Sequence, residues 1–504
     1  MGKLTNRVAK GVFWVLMEKF GLQAVHFVVT LVLARLLTPN DYGTVALLSV
    51  FISISNVLVD SGFGKALVQK KSASQTDFNT VFYLSVGFAI VLYAGLFFLA
   101  PFVARFYDMP ELQPMLRVMA FSLIFHSING VQNVELNRKM LFRLSFRISW
   151  VRAGVSAAVG ISLAFLGFGS WALVWAAFFG GVAAVIARQC VIAWRPSMSF
   201  SLESARTLFR FGWKVVVSRL IVVGYENLGT VLIGKFYPRA DLACYQKGMH
   251  VPMLPVRTID QSLGRVVFPA LSKLQDKPER MRRALRKSIR STTFFIFPMM
   301  VFCLVGAHDL VCLLFGTKWL PAVPFVAVGC LTWGLRPFNT INSQAVMARG
   351  RSDVALIVTV ARRLLGLAVI LLTIRHGLMF FVVCMALVTA PLGAVINSVP
   401  THKYLGYSLL MQIRDVLPSF SLSVAAGAVM AAFLPLPLPP AVRLVGMILA
   451  GAAIYGTLAW AFRLDVCSEI AKALLSGKKR IPKAVRQVLE TVANWNPEEG
   501  ADEG

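Results

Sequence analysis

Fourteen apolar stretches of more than 20 residues run through this 504-residue chain, and they constrain its fold more than any other feature. A helix of about 20 residues crosses the hydrocarbon core of a bilayer. The chain is 57% apolar and only 15% charged, whereas soluble domains are about 25% charged. The sequence therefore predicts an all-α, polytopic membrane protein with about 14 transmembrane helices. The stretches cover residues 11–37, 43–64, 79–104, 112–134, 147–167, 170–192, 212–236, 244–266, 292–316, 320–347, 353–374, 377–400, 416–436 and 441–462.

The eighth stretch, 244–266, is the most polar of the fourteen. It contains Lys247, Arg257 and Asp260 as well as two prolines, and a hydropathy window alone would pass over it. Without this helix, residues 237–290 would form one loop and every later loop would change sides of the membrane. We therefore predict that the eighth stretch also spans.

The distribution of positive charge predicts the orientation of the chain. The net charge is +28, from 51 Lys and Arg against 23 Asp and Glu, and in a soluble protein this would suggest nucleic-acid binding. With the N-terminus inside, 37 of the basic residues fall in the inner segments and eight in the outer segments and helix ends. Basic residues concentrate in cytoplasmic loops of membrane proteins. We predict that both termini are cytoplasmic and that the chain does not bind nucleic acid.

The sequence contains none of the motifs of the common membrane or soluble enzymes. It has no G-x-x-x-x-G-K-[ST] phosphate loop, no H-E-x-x-H and no G-x-S-x-G. The seven cysteines are scattered and never form C-x-x-C, which predicts neither a disulfide framework nor a zinc site. We predict a protein that is not an enzyme and that has no cofactor or metal site.

Two segments of the chain indicate an internal repeat. The first span ends L-A-R-L-L-T-P-N-D-Y and the seventh ends I-G-K-F-Y-P-R-A-D-L, so that matched positions such as Pro39 and Pro238 are offset by 199 or 200 residues. Because six helices separate the copies, both begin on the same side, which predicts a pseudo-twofold axis perpendicular to the membrane. A chance resemblance between two helix ends is the alternative, since Trp, Pro and Asp are common at membrane interfaces.

The repeat predicts four parts of the chain. Residues 1–200 form an N-terminal lobe of six helices and residues 201–405 form a second lobe of six. Residues 406–463 add two helices. Residues 464–504 form a cytoplasmic tail, amphipathic and then acidic, whose basic residues would bind anionic membrane lipids at the inner leaflet.

Six basic residues remain inside the predicted spans, where a charge at the bilayer centre costs about 2.5–3.5 kcal/mol. Gln23 and His26 lie on the same helical face as Lys19, the first of these six residues. We predict that this set forms a cationic cavity, because guanidinium groups bind phosphate or diphosphate bidentately. The alternative for Arg152 and Arg219 is that they extend to the inner interface. The predicted substrate-binding residues are Lys19, Arg152, Arg219, Lys247, Arg257, Arg336, Gln23 and His26.

Four acidic residues in or near the spans are candidates for ion coupling: Glu18, Asp60, Glu226 and Asp260. Each could bind a proton or a sodium ion if an ion gradient drives transport. A helix cap or turn is an equally good interpretation of Asp60, which precedes two glycines. Glu18 or Glu226 would alternatively neutralise a neighbouring cation.

Several motifs of the chain resemble those of the Wzx-type polysaccharide flippases. These belong to the multidrug/oligosaccharidyl-lipid/polysaccharide flippase superfamily, and the exopolysaccharide and colanic-acid exporter branch is the most similar. The similarity covers about residues 10–406 and rests on the spacing of its motifs. The motifs are A-R-L-L-T-P-N-D-Y-G (34–43), D-S-G-F-G-K-A-L-V-Q-K (60–70), V-V-F-P-A-L-S-K-L-Q-D (266–276) and L-L-F-G-T-K-W (313–319).

This resemblance implies two six-helix lobes, two further helices and alternating access in a bacterial inner membrane. The implied substrate is an undecaprenyl-pyrophosphate-linked oligosaccharide, flipped toward the periplasm for exopolysaccharide, capsule or O-antigen synthesis. A polysaccharide polymerase and co-polymerase are the implied protein partners. The chain departs from the family after Glu226, because Gly229 stands where the N-x-D-x-x-I-I-G pattern has an aspartate. The coupling role of that aspartate cannot be carried over.

Two other functions remain open at this stage. A cation-coupled drug or metabolite antiporter of the same superfamily would need an acidic residue deep in the N-terminal lobe, where only Glu18 and Asp60 are available. A membrane polysaccharide polymerase would need a sizeable outer loop, and the predicted outer connections are no longer than about a dozen residues.

Overall fold

A computed structural model describes residues 21–60, 67, 74–139, 141–192, 194–468 and 471. The regular structure of these residues is helical throughout, without a strand. The predicted tail helices after residue 471, together with Glu18 and Lys19, lie outside the described residues. The helices are α1 (Gly21–Leu36), α2 (Pro39–Asp60), α3 (Gln75–Tyr107), α4 (Leu112–Ala120), α5 (Ser122–Arg138), α6 (Phe142–Phe165), α7 (Ser170–Val191), α8 (Leu202–Phe236), α9 (Arg239–Ser272), α10 (Pro278–Val305), α11 (Ala307–Leu314), α12 (Val323–Gly334), α13 (Arg336–Ala348), α14 (Ser352–Thr373), α15 (Leu378–Cys384), α16 (Ala390–Leu405), α17 (Leu409–Ala431) and α18 (Pro440–Ala461).

Eleven segments of the described chain are long and apolar enough to cross a membrane. They account for every predicted span except the first, fourth and eighth. The described part of the first span is α1, the fourth is divided between α4 and α5, and the eighth lies within the polar helix α9. The all-α membrane fold is thus confirmed, and the number of fourteen spans is compatible with these helices.

The eighth predicted span is one continuous helix despite its composition. α9 extends over 34 residues and contains Pro252, Pro255 and Pro269. A proline inside a helix removes one backbone hydrogen bond and bends the helix. Polar side chains and prolines explain why hydropathy alone does not identify this helix as a span.

The chain divides into two compact units, Met1–Ala243 and Cys244–Gly504. In the first unit the seventh predicted span, α8, packs on α2 so closely that Gly234 contacts the side chain of Leu47. The predicted boundary between lobes at residue 200 refers to the sequence repeat and stays a prediction.

The turn before α2 explains part of the motif T-P-N-D-Y-G. The Asp41 carboxylate accepts hydrogen bonds from the Thr38 amide, at 2.9 Å, and from the Ser170 hydroxyl, at 2.9 Å. Gly169 has a φ of +53°, and a Cβ there would lie 2.8 Å from the Asp41 carboxylate. Asp41 therefore holds the beginning of α2 against the beginning of α7.

Two ion pairs attach the last two helices to the second unit. The buried Asp415 of α17 accepts from Arg286 and Arg290 of α10 at distances of 2.5–3.0 Å. Near the opposite end of these helices, Arg443 of α18 donates to the buried Asp309 of α11 at 2.5 Å. α17 and α18 are thus an integral part of the second unit.

Candidate functional site

In the first unit, one carboxylate contacts a histidine and an arginine from different helices. Asp60 is the last described residue of α2; its Oδ1 lies 2.9 Å from Nε2 of His126 on α5, and its Oδ2 lies 3.1 Å from Nη1 of Arg219 on α8. We call Asp60, His126 and Arg219 the Asp60 cluster. The side chains of Asp60 and Arg219 are 41% and 49% exposed, so the cluster is accessible to a ligand.

A bound anion would compete with Asp60 for Arg219, because a guanidinium group donates hydrogen bonds to oxygen and has no acceptor.

In the second unit, a second carboxylate lies beside an arginine. Oδ2 of Asp260 on α9 accepts from the Thr340 hydroxyl of α13 at 3.1 Å and lies 3.4 Å from Nε of Arg336. We call Asp260, Arg336 and Thr340 the Asp260 cluster. Asp260 is only 13% exposed and Arg336 is 53% exposed. The arginine therefore presents its terminal nitrogens away from the carboxylate.

The break in the tenth span positions Arg336. α12 ends at Gly334 and α13 begins at Arg336, followed by Pro337 in its first turn. The guanidinium carbon lies 4.8 Å from the centre of the Trp333 ring. Stacking on an indole restricts the arginine side chain and leaves the edge of its guanidinium plane for a ligand.

The other predicted binding residues are distributed over both units. Arg257 lies one turn before Asp260 on α9 and is exposed, as is Arg152 on α6. Within the described part of the chain, neither arginine makes a hydrogen bond or an ion pair. Lys247 lies on α9 with its ammonium 5.5 Å and 5.8 Å from the ring centres of Phe315 and Trp319. The motif L-L-F-G-T-K-W thus supplies two rings that pack on a lysine.

Three further predicted residues are exposed on helices of the first unit. Gln23 and His26 lie on α1, and Glu226 lies on α8, seven residues after Arg219. The structure brings Arg219 together with Asp60, and Arg336 together with Asp260.

Sequence reasoning missed two sets of residues. His126, inside the fourth predicted span, completes the Asp60 cluster, and a titratable residue in an apolar stretch was the available signal. Arg362 and Arg363 lie within the predicted span 353–374 but were not among the predicted binding residues, and they lie at the middle of α14. The guanidinium of Arg362 lies over Gly393 of α16, 3.1 Å from where a Cβ would be.

The second unit also contains an apolar cavity of about 570 Å³. Its lining comes from α10, α12, α13, α16 and α17, and Gln412 is the polar residue among them. A diphosphate would lose its hydration there without gaining donors in return. The cavity is suited to a hydrocarbon chain and not to an anionic headgroup. Among the described residues, no three His, Cys, Asp or Glu side chains are arranged to hold a metal ion.

Comparison with known proteins identifies relatives over most of the chain. Residues 32–324 match the family described as "Polysaccharide biosynthesis protein". The succinoglycan biosynthesis transport protein ExoT of Rhizobium meliloti is 26% identical over 334 residues, 66% of this chain and 68% of that protein. The lipopolysaccharide biosynthesis protein WzxC of Escherichia coli is 25% identical over 362 residues, 70% of this chain and 72% of that protein.

Solved structures with the same fold include two kinds of transporter. The lipid II flippase MurJ in an inward closed conformation superposes with a TM-score of 0.70 at 13% identity, covering 90% of this chain and 99% of that chain. An inward-facing multidrug resistance MATE transporter of the MOP superfamily gives a TM-score of 0.55 at 13% identity, covering 81% and 95%. Since the family match covers more than half of the sequence, the chain belongs to the polysaccharide biosynthesis protein family.

Proposed function

We propose that the chain is a flippase for an undecaprenyl-diphosphate-linked oligosaccharide, which it moves from the cytoplasmic to the periplasmic leaflet of a bacterial inner membrane. The observation that carries this proposal is the pair of arginine-bearing clusters on membrane helices. The family and its relatives, two of which are named for transport or lipopolysaccharide biosynthesis, support the same substrate class. The diphosphate is the one part of such a substrate that needs cations.

Arg219 in the first unit and, separately, Arg257 and Arg336 in the second unit are the residues that we propose as phosphate-binding groups. Guanidinium groups donate two parallel hydrogen bonds to phosphate oxygens, and these bonds are stronger than those between neutral groups. Arg219 and Arg336 are about half exposed, so each can bind a ligand without unfolding its surroundings. Lys247 is left out of this assignment because its ammonium already lies over two aromatic rings.

The proposed transport cycle is alternating access between the two halves of the repeat. The oligosaccharide would enter from the cytoplasmic side, where the positive-inside distribution predicts that both termini lie. The polyprenyl tail would stay in apolar surroundings while the headgroup crosses through a polar interior. This cycle needs no chemical step, which agrees with relatives that are transport proteins.

A cation-coupled antiporter is the second candidate. Two observations favour an antiporter over an enzyme. The chain shares its fold with a multidrug MATE transporter, and the carboxylate of Asp60 is accessible. An antiporter would use Asp60 to bind the coupling cation. In the structure Asp60 binds His126 and Arg219 instead, and this arrangement favours an anionic substrate.

Deleting the gene in its host and measuring lipid-linked oligosaccharides in each leaflet tests the function. A flippase predicts that single repeat units accumulate on the cytoplasmic leaflet and that surface polysaccharide is lost. Accumulation on the outer leaflet would instead indicate a polymerase. Unchanged lipid pools and polysaccharide, in a host without a second flippase, would favour the antiporter.

Arg219→Ala is expected to lower the flipping rate by about tenfold or more at unchanged protein abundance. A charge-assisted hydrogen bond contributes about 1.5–3 kcal/mol, and about 1.4 kcal/mol corresponds to tenfold. Transport of lipid-linked oligosaccharide into proteoliposomes measures the effect. Arg210→Ala, which removes an exposed arginine from the same helix, is the matched control. Normal transport by the Arg219 variant would remove Arg219 from the site.

A further inference from the structure

Asp60 and Asp260 occupy equivalent positions in the two halves of the repeat. They are 200 residues apart, which is the offset that relates the ends of the first and seventh spans. Each follows the first residue of its own helix, Pro39 in α2 or Arg239 in α9, by 21 residues. At 1.5 Å per residue both lie roughly 32 Å along the helix.

One partner of each carboxylate is equivalent as well. The fourth span of each repeat is broken at one residue, Phe121 between α4 and α5 and Leu335 between α12 and α13. His126 and Thr340 each lie five residues after the break. His126 contacts Asp60 at 2.9 Å and Thr340 donates to Asp260 at 3.1 Å. The arginines come from different elements, Arg219 from α8 and Arg336 from α13, yet each unit places a carboxylate beside an arginine.

These carboxylate pairs differ from the ion pairs that hold the helices together. Asp415 and Asp309 are each 1% exposed and bind arginines at distances down to 2.5 Å. The Asp60–Arg219 and Asp260–Arg336 pairs are single contacts of 3.1 Å and 3.4 Å, and both arginines are about half exposed. A one-point contact with a half-exposed arginine contributes little, so a better acceptor can replace it.

In the second unit the carboxylate is incompletely bound. Oδ1 of Asp260 is buried and, in the described part of the chain, has no hydrogen-bond partner. Only Nε of Arg336 is directed at the carboxylate. The terminal nitrogens of the guanidinium are the ones that bind phosphate bidentately. The arginine can therefore begin to bind a phosphate before the carboxylate leaves.

We propose that Asp60 and Asp260 are exchangeable counter-ions that occupy the arginines of their own units until the substrate diphosphate displaces them. This inference rests on the proposed flippase function and assigns a positioning role to both carboxylates. In the empty protein each carboxylate neutralises its arginine, which avoids an unpaired charge in the membrane. After translocation the carboxylate returns to the arginine and displaces the diphosphate. The exchange therefore makes release possible from a site that would otherwise hold its ligand tightly.

The test is equilibrium binding of undecaprenyl diphosphate to the full chain in nanodiscs, together with flipping in proteoliposomes. Asp60→Asn and Asp260→Asn keep the side-chain shape but remove the competing negative charge. We expect each variant to bind the probe about tenfold more tightly, because one charged competitor is lost. The flipping rate should fall by a similar factor, because tighter binding mainly lowers the dissociation rate of the ligand. A merely structural role would not raise affinity.

Two exposed aspartates provide matched controls. Asp108 pairs with Lys235 in the first unit, and Asp353 pairs with Arg351 in the second. Asp108→Asn and Asp353→Asn remove the same charge from surface pairs and should leave binding and flipping at the wild-type level. Asp60→Glu and Asp260→Glu, which keep a carboxylate, should bind the probe close to the wild-type level.

If Asp260→Asn does not yield folded protein, Thr340→Val tests the same exchange. The substitution removes the hydroxyl that holds Asp260 without changing the size of the side chain. It should also tighten the binding of undecaprenyl diphosphate, by a smaller factor than Asp260→Asn. The exchange is wrong if the wild type flips substrate while the folded Asp variants bind the probe no more tightly than wild type. Failure of the wild type to bind the probe above empty nanodiscs would contradict the proposed function itself.

Discussion

Replacing Asp415 by alanine is expected to lower the free energy of unfolding by about 3–5 kcal/mol, the usual effect of removing one partner of a buried ion pair. The substitution would leave Arg286 and Arg290 facing each other without their shared carboxylate. Thermal unfolding of the detergent-purified protein measures the change. Asp353→Ala, which removes an exposed carboxylate paired with Arg351, should shift unfolding by less than about 1 kcal/mol.

The surroundings of Asp415 explain the size of this effect. Besides the two arginines, the Tyr407 hydroxyl donates to Oδ2 at 2.7 Å. Burial, reinforced by the neighbouring carboxylate, raises the pKa of the Tyr407 phenol far above its usual range, so the hydroxyl keeps its proton. Arg290 also donates to Asp465, which follows α18. Asp415 thus connects α10, α17 and the chain beyond α18, and an unchanged unfolding temperature for the alanine variant would contradict this role.

Replacing Gly43 by valine is expected to destabilise the first unit by about 3 kcal/mol or more, at or above the upper end of typical overpacking effects. A Cβ at this position would lie 2.0 Å from the backbone oxygen of Arg239 and 2.6 Å from its carbonyl carbon. Backbone atoms cannot rotate away as a flexible side chain can. The same unfolding experiment, with protein yield as a second measure, tests the prediction.

Arg239 itself is held in place, which prevents relief of this clash. Its guanidinium donates to the Thr44 hydroxyl at 3.2 Å and pairs with Glu111. Gly87 is the matched control, because it is also helical and a Cβ there would meet nothing within 4 Å. Gly87→Val should change stability by less than about 1 kcal/mol. A normal unfolding temperature for Gly43→Val would show that the turn at Arg239 can shift.

The membrane fold was predictable because apolar length is read directly from the sequence. The eighth stretch, predicted from loop charges and an even number of crossings, is helical as part of α9, and its crossing of the membrane stays a prediction. The repeat, predicted from the matched turns at Pro39 and Pro238, also stays a prediction. The family resemblance was confirmed by the match over residues 32–324.

The details of the candidate site were less predictable. The break in the fourth span at Phe121 leaves no strong signal, since the residues on both sides favour a helix. His126 was therefore not connected with Asp60, 66 residues away in sequence. Arg362 and Arg363 fall at the middle of the predicted span 353–374 and of α14, yet they were not among the predicted binding residues. The close approach of Arg362 to Gly393 on α16 became visible only in the structure.

The sequence by itself determined the class of protein, because hydrophobic length, charge asymmetry and motif spacing are properties of the linear chain. Only the tertiary structure decided which intramembrane charges form tight pairs and which remain exposed to a ligand. Asp415 and Asp260 both lie on helices beside arginines, yet Asp415 is enclosed by two arginines, whereas Asp260 has one arginine contact of 3.4 Å and a hydrogen bond from Thr340. That difference depends on distances between helices that are far apart in sequence, and such distances are fixed by packing.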